Sequence, residues 1–318
     1  MKVFITRRIP DIAFDMLGKE GVEVIFNNED RVLSSDEIIE GAKGCDALIT
    51  LLSDTIDKKI IDTFEKVRII SNYAVGYNNI DIEHCRKKNI IVCNTPDVLT
   101  HATADLGFSL LLAVARKIPE SDSFVREGLF KGWAPRLLRG HDVYSKTLGV
   151  IGAGRIGGEV LRRGIGFNMK LLYNTRSKKE QLEKELGACF ASKEEIAKRS
   201  DFIVLCTPLN DDTFHMIDKS FILNMKKDAI LINIARGQVV DEKVLIEALE
   251  DKKIAGAGLD VYENEPQVPE RLKRLKNVVL LPHTGSSTFK ARDDMAVLCV
   301  NSILDILKRG KMPQNRIC

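Results

Sequence analysis

The stretch Leu148-Gly-Val-Ile-Gly152-Ala153-Gly154-Arg155-Ile156-Gly157 decides the fold. An apolar run of β character, Thr147–Ile151, feeds a Gly-x-Gly-x-x-Gly turn, and a helix-compatible segment follows at once. The first glycine permits the tight turn. The second lets backbone approach a pyrophosphate, and the third lets helix and strand pack closely. The first helix amides then point at the anion. Strand, turn and helix in this order specify a dinucleotide site far more strongly than three glycines alone. The turn begins near mid-chain, so a domain-sized segment precedes it.

Outward from the turn, the pattern is α/β on both sides. Downstream, strands are predicted at 147–151, 170–174, 201–206, 229–233, 254–260 and 278–281, which suits a six-stranded doubly wound sheet. Upstream, strands at 2–6, 22–26, 47–51, 68–71 and 90–93 alternate with helices such as 35–42 and 57–64. Such alternation predicts a second parallel sheet with helices on both faces. Residues 100–117 read as one long apolar helix, 127–145 as an irregular loop, and 289–309 as a terminal helix. The fold class is therefore α/β with two Rossmann-like lobes around a cleft.

Composition narrows the function. A chain of 318 residues can bury roughly 75% of its unfolded surface. Net charge is +3 with acids and bases interspersed, which leaves no footprint for nucleic acid. The seven cysteines, at 45, 85, 93, 189, 206, 299 and 318, have neither CxxC spacing nor an even count. No disulfide framework and no metal site are expected, and a reducing cytoplasm is the natural location. Charges interrupt every apolar run, so no membrane span is expected. The N-terminal Met-Lys-Val-Phe-Ile-Thr reads as a strand rather than a leader.

Three residues just past late strands carry the candidate chemistry: Arg236, Glu265 and His283. Ligands of open α/β sheets bind at such strand ends. Reducing a carbonyl beside a carboxylate needs a permanently charged, bidentate cation, and Arg supplies one. It needs a proton donor that works near neutral pH, a task suited to His. A neighbouring carboxylate favours the charged imidazole. His84, His101, His141 and His215 lack such a setting and read as surface or helix-end residues. The sole Trp133 either approaches the cleft or anchors its loop in the core.

Roughly 20 residues past the glycines, NAD-type sites place an acid for the ribose 2′-OH. Here the positions read Asn174-Thr175-Arg176-Ser177. Without an acid, and with a guanidinium adjacent, NADP(H) is the preferred cofactor, and NAD(H) stays open.

With these motifs in hand, the chain resembles the D-isomer-specific 2-hydroxyacid dehydrogenases nearly end to end. The matching stretches include 71–81, 94–100, 152–157, 233–237, 258–266 and 282–286. Within that family it is most similar to the glyoxylate/hydroxypyruvate reductase branch. The resemblance implies that Arg236 binds substrate carboxylate and ketone, that His283 is the acid/base, and that Glu265 is its partner. It implies a carboxylate cradle from backbone at Val75 and Gly76 with Leu51 or Leu52 nearby. Asp260 would contact the nicotinamide carboxamide. Thr103, Ala153, Ile156, Thr207, Pro208, Ile234, Ala235 and Gly285 would complete the cofactor contacts. It also implies a discontinuous flavodoxin-like substrate lobe (1–98 and 288–318), a dinucleotide lobe (99–287), lobe closure, and homodimers paired through the cofactor lobes. The small 2-oxo or 2-hydroxy acid partner could instead be D-lactate-like or D-3-phosphoglycerate-like. A reading from another class is a nucleotide-sensing protein resembling the family's corepressors. Phosphite-oxidising relatives carry Lys where this chain has Val75, which argues against phosphite.

Overall fold

Two parallel sheets organise the protein, and a computed structural model describes residues 1–318. The chain divides into two compact units, Met1–Leu99 with Ser286–Cys318, and Thr100–Gly285.

The first unit holds five strands: β1 Lys2–Ile5, β2 Glu23–Phe26, β3 Ala47–Leu51, β4 Ile69–Tyr73 and β5 Ile91–Cys93. All pair in parallel in the order β2-β1-β3-β4-β5. That is the flavodoxin-like order of a doubly wound sheet. The central strands are buried on both faces, as runs such as Ile69-Ile70 and Leu48-Ile49 require. Local chemistry sets the helix ends. Ser34 and Glu37 form a reciprocal capping box at the start of Ser35–Ala42, and Asp57 caps Lys58–Asp62. The terminal helix Phe289–Leu304 packs on β4, where the Tyr73 hydroxyl donates to the Arg292 carbonyl at 2.7 Å. It ends in a π turn over Asp305–Arg309.

The second unit holds seven strands, not the six expected: β6 Thr147–Ile151, β7 Lys170–Asn174, β8 Cys189–Phe190, β9 Phe202–Leu205, β10 Ile230–Asn233, β11 Gly256–Leu259 and β12 Val278–Leu280. The extra strand, β8, is two residues long and sits at the sheet edge, too short to show an alternation in sequence. The order is β12-β11-β10-β9-β6-β7-β8, with every pair parallel. The expected helix 100–117 is Thr100–Ala115, followed by a separate Ile118–Arg126. The break falls at Lys117, in the left-handed region at φ 52°, just ahead of Pro119. No helix is long and apolar enough to cross a membrane.

Candidate active site

The order of strands reverses between β6 and β9, so their C-terminal ends open the crevice where α/β sheets take ligands. The glycine turn occupies this point. Gly152 has φ 91°, and a Cβ there would lie 2.6 Å from the Thr207 amide nitrogen at the end of the neighbouring strand. Gly157 sits so close to the turn that a Cβ would lie 2.4 Å from the Gly152 carbonyl oxygen. Gly154 differs: a Cβ there would meet nothing within 4 Å. It starts the helix Arg155–Ile165, whose first amides have no intrahelical acceptor. A tight turn, an open face at its second glycine and a helix N-terminus fit a dinucleotide pyrophosphate. Ala153, Arg155 and Ile156 belong to the same turn, and Thr207, just past β9, packs against it, with Pro208 next in the chain.

At the end of β7, the Asn174 carbonyl accepts from the Gly152 amide at 2.9 Å, and its side chain is tied to the Ala191 carbonyl. Thr175 donates its hydroxyl to the Ser177 carbonyl at 2.6 Å. Arg176 and Ser177 are exposed, and no acid stands in this turn.

The ionisable groups come from the ends of β10, β11 and β12. After β10, the Asn233 side chain accepts from the Ala235 amide and donates to the Arg236 carbonyl, both at 3.0 Å. This folds the turn that carries Ile234, Ala235 and Arg236. Burial lowers the Arg236 pKa from its ordinary value, opposed by the charge of Glu265. After β12, His283 is held at φ 54° and its amide donates to the Asp260 carbonyl at 2.9 Å. The imidazole Nδ1 lies 2.8 Å from Glu265 Oε2. Partial burial pushes the Glu265 carboxyl up, but the hydrogen bond and charge of His283, the Tyr262 amide and Arg236 outweigh it and hold it below the usual range. The second ring nitrogen, Nε2, has no partner within the protein.

Asp260 lies beneath these groups and is 2% exposed. Its carboxylate accepts from the Thr284 and Gly285 amides at 2.7 and 2.8 Å. Burial raises its pKa, only partly offset by those donors and by His283. Asp260 therefore shapes the His283–Gly285 loop. Thr103, buried on its helix, packs against Gly285.

Sequence reasoning read His215 as a surface or helix-end residue without a carboxylate partner, and the structure supplies one. Its Nε2 lies 2.9 Å from Glu263 Oε1, and its ring stacks on Phe214. Gln238 donates to the Glu263 carbonyl, so this pair ties the Arg236 loop to the Glu265 loop. His84 lies in the last turn of the helix Ile82–Lys87, as read, and contacts Asp62 at 2.9 Å. Both partners lie many positions away in sequence and left no local signal. Trp133 is 85% exposed, which removes the core-anchor reading. No three His, Cys, Asp or Glu residues are grouped to hold a metal ion. Leu51, Leu52, Val75 and Gly76 lie in the first unit, at the ends of β3 and β4.

The model of the D-isomer-specific 2-hydroxyacid dehydrogenase NAD-binding domain matches residues 108–285, more than half of the chain. The chain belongs to this family. The dehydrogenase is 49% identical to the glyoxylate reductase of Pyrococcus horikoshii over 316 residues, covering 98% of this chain and 94% of that one. Among solved structures, a Thermus thermophilus protein matches with TM-score 0.94 at 39% identity, each chain fully covered. An NADPH-dependent glyoxylate/hydroxypyruvate reductase of Sinorhizobium meliloti, solved with NADP and malonate, matches with TM-score 0.87 at 29% identity, over 100% of this chain and 96% of that one. The dehydrogenase is thus a nicotinamide-dinucleotide oxidoreductase acting on 2-oxo acids.

Proposed function

We propose that the dehydrogenase reduces glyoxylate, or a 2-oxo acid nearly as small such as hydroxypyruvate, to the D-2-hydroxy acid, with NADPH preferred over NADH. The observation that carries this reading is the 2.8 Å contact between His283 Nδ1 and Glu265, which leaves Nε2 facing no protein partner. The bound dinucleotide supplies the hydride.

The protein's own groups do the rest. Arg236, always charged, pairs with the substrate carboxylate and stabilises negative charge growing on the carbonyl oxygen. His283 delivers the proton from Nε2 to that oxygen. Glu265 orients the ring through Nδ1. Asp260 holds the His283 loop through the Thr284 and Gly285 amides, and would help hold the nicotinamide end of the dinucleotide. The main chain of Val75 and Gly76, with Leu52, receives the carboxylate. The Leu51 amide and carbonyl are already bonded to Asp54 and Asn79, so Leu51 contributes only its side chain.

Cofactor preference rests on the turn after β7. An acid there would repel a 2′-phosphate, whereas the exposed Arg176 guanidinium can fork onto it. The Sinorhizobium reductase, solved with NADP, supports this choice. The seven thiols are free, which suits a reducing cytoplasm.

A second copy of this chain is the proposed partner. The helix Ile118–Arg126 has no buried residue, and with the loop beyond it exposes Ile118, Val125, Leu129, Phe130, Trp133 and Tyr144. So many exposed large apolar side chains in one segment favour an interface, here a homodimer through the dinucleotide unit. Light scattering should report a dimer, and Phe130→Asp should yield monomer.

The deciding experiment is a panel of NADPH and NADH against glyoxylate, hydroxypyruvate, pyruvate and phenylpyruvate. Glyoxylate or hydroxypyruvate with NADPH should give the highest kcat/KM. A clear preference for pyruvate, for phenylpyruvate or for NADH would overturn the corresponding part.

A further inference from the structure

We infer that Asn72 and Asn94, backed by Asn79 and Asp54, are positioning residues that shape a carboxylate seat from main-chain N–H groups in the first unit. The inference rests on the proposed reduction of a 2-oxo acid and names the side chains that hold the seat.

Asn72 lies in β4 and is fully buried, and Asn94 follows β5 at 6% exposure. Each spends its amide on a carbonyl of the loop after β4. Asn94 Nδ2 donates to the Val75 carbonyl and Asn72 Nδ2 to the Gly76 carbonyl, both at 2.8 Å. The Ala74 carbonyl accepts from the Thr95 amide at 2.9 Å. Three successive carbonyls are therefore held by internal donors.

A trans peptide points its C=O and N–H in opposite directions. Fixing the Ala74 carbonyl therefore turns the Val75 N–H the other way. Fixing the Val75 carbonyl does the same for the Gly76 N–H. Neither amide has an acceptor within the protein, though both residues are half-buried. Two successive N–H groups aimed the same way form an anion-binding concavity.

The loop after β3 is fixed by the same network. The buried Asp54 carboxylate accepts from the Thr6 hydroxyl and, at 2.7 Å, from the Leu51 amide. Asn79 donates to the Leu51 and Asp54 carbonyls, both at 3.0 Å. The Thr50 hydroxyl donates to Asn72 Oδ1 at 3.1 Å. The Leu52 amide has no internal acceptor. The two loops are thus joined through Asn72 and Asn79. Neutral amides suit this task, because they fix carbonyls without placing a charge that would repel or capture the anion.

The test is Asn94→Asp, which keeps the shape but turns an acceptor toward the Val75 carbonyl, with Asn72→Ser as a second variant. The expected result is a tenfold or larger rise in KM for glyoxylate and in the inhibition constant of oxalate. kcat and KM for NADPH should stay within twofold of wild type. Folded variants whose glyoxylate and oxalate constants stay within twofold of wild type would overturn the inference. So would a parallel loss of NADPH binding, or failure of both variants to fold by circular dichroism, since the role would then be structural. Calorimetric oxalate binding, read without turnover, separates the two readings. If wild type reduces no 2-oxo acid, the proposed function fails. The seat still stands or falls on whether Asn94→Asp weakens oxalate tenfold.

Discussion

Loops beyond the strand ends are held in the first unit by Thr6, Asp54, Asn72, Asn79 and Asn94, of which only Asp54 is ionisable. The corresponding loops of the second unit carry Arg236, Asp260, Glu265 and His283, ionisable throughout. Both sets sit at the C-terminal ends of parallel strands, so topology does not distinguish them. The difference teaches what each kind of group can do. Neutral amides fix main-chain dipoles whose direction is independent of pH. Ionisable groups in partial burial can give and take protons and match charge that develops on a reacting oxygen. Even the acids diverge. Burial pushes the Asp54 carboxyl up despite its donors, whereas His283 and its neighbours hold Glu265 down.

That contrast can be broken by experiment. The largest effect is expected from His283→Gln, which removes the proton donor but not the cofactor turn. kcat should fall about 10²–10⁴-fold, with NADPH affinity by fluorescence titration unchanged. Near-normal turnover would take His283 out of the proposed role. Arg236→Ala should lower kcat/KM for glyoxylate about 10²–10³-fold, the scale of losing a preorganised electrostatic group. Unchanged glyoxylate kinetics would contradict its assignment.

Further variants sharpen the comparison around the cofactor turn. Gly152→Ala forces a side chain into a left-handed conformation and against the Thr207 amide. It should destabilise the fold by about 1–3 kcal/mol in urea titration and weaken NADPH binding. Arg176→Ala should raise KM for NADPH about tenfold and leave that for NADH unchanged, which two saturation curves will check.

The smallest effect concerns pH. A carboxyl held below its ordinary value of 4.5 contributes stability that is present above 4.5 and lost as pH falls through the lowered value. Glu265→Gln lacks that contribution. The stability gap between wild type and variant should be widest near neutral pH and close below about 4.5. A gap that stays constant down to pH 3 would show that the carboxylate is not held as described.

Much of this was legible locally. The capping box at Ser34 and Glu37 and the strand–turn–helix at 147–157 both depend on residues a few positions apart, so sterics and short hydrogen bonds reveal them. The strand-end placement of Arg236, Glu265 and His283 was equally readable, because each directly follows a β run. The two-residue β8 was not, since its pairing with β7 leaves no alternation to see. Nor was the break at Lys117, where one left-handed residue interrupts a continuous apolar pattern. His215 escaped because its partner Glu263 lies 48 positions away.

By itself, then, the amino-acid sequence determined the α/β class, the position of the dinucleotide turn and the chemical types available at the strand ends. Those follow from periodicity, backbone sterics and side-chain chemistry within a few residues. Only the tertiary structure decided which strands are neighbours, that His215 meets Glu263, and that Asn94 reaches the Val75 carbonyl. Those pairings join distant segments, and they are set by how strands stack and loops close. No local preference encodes such a meeting.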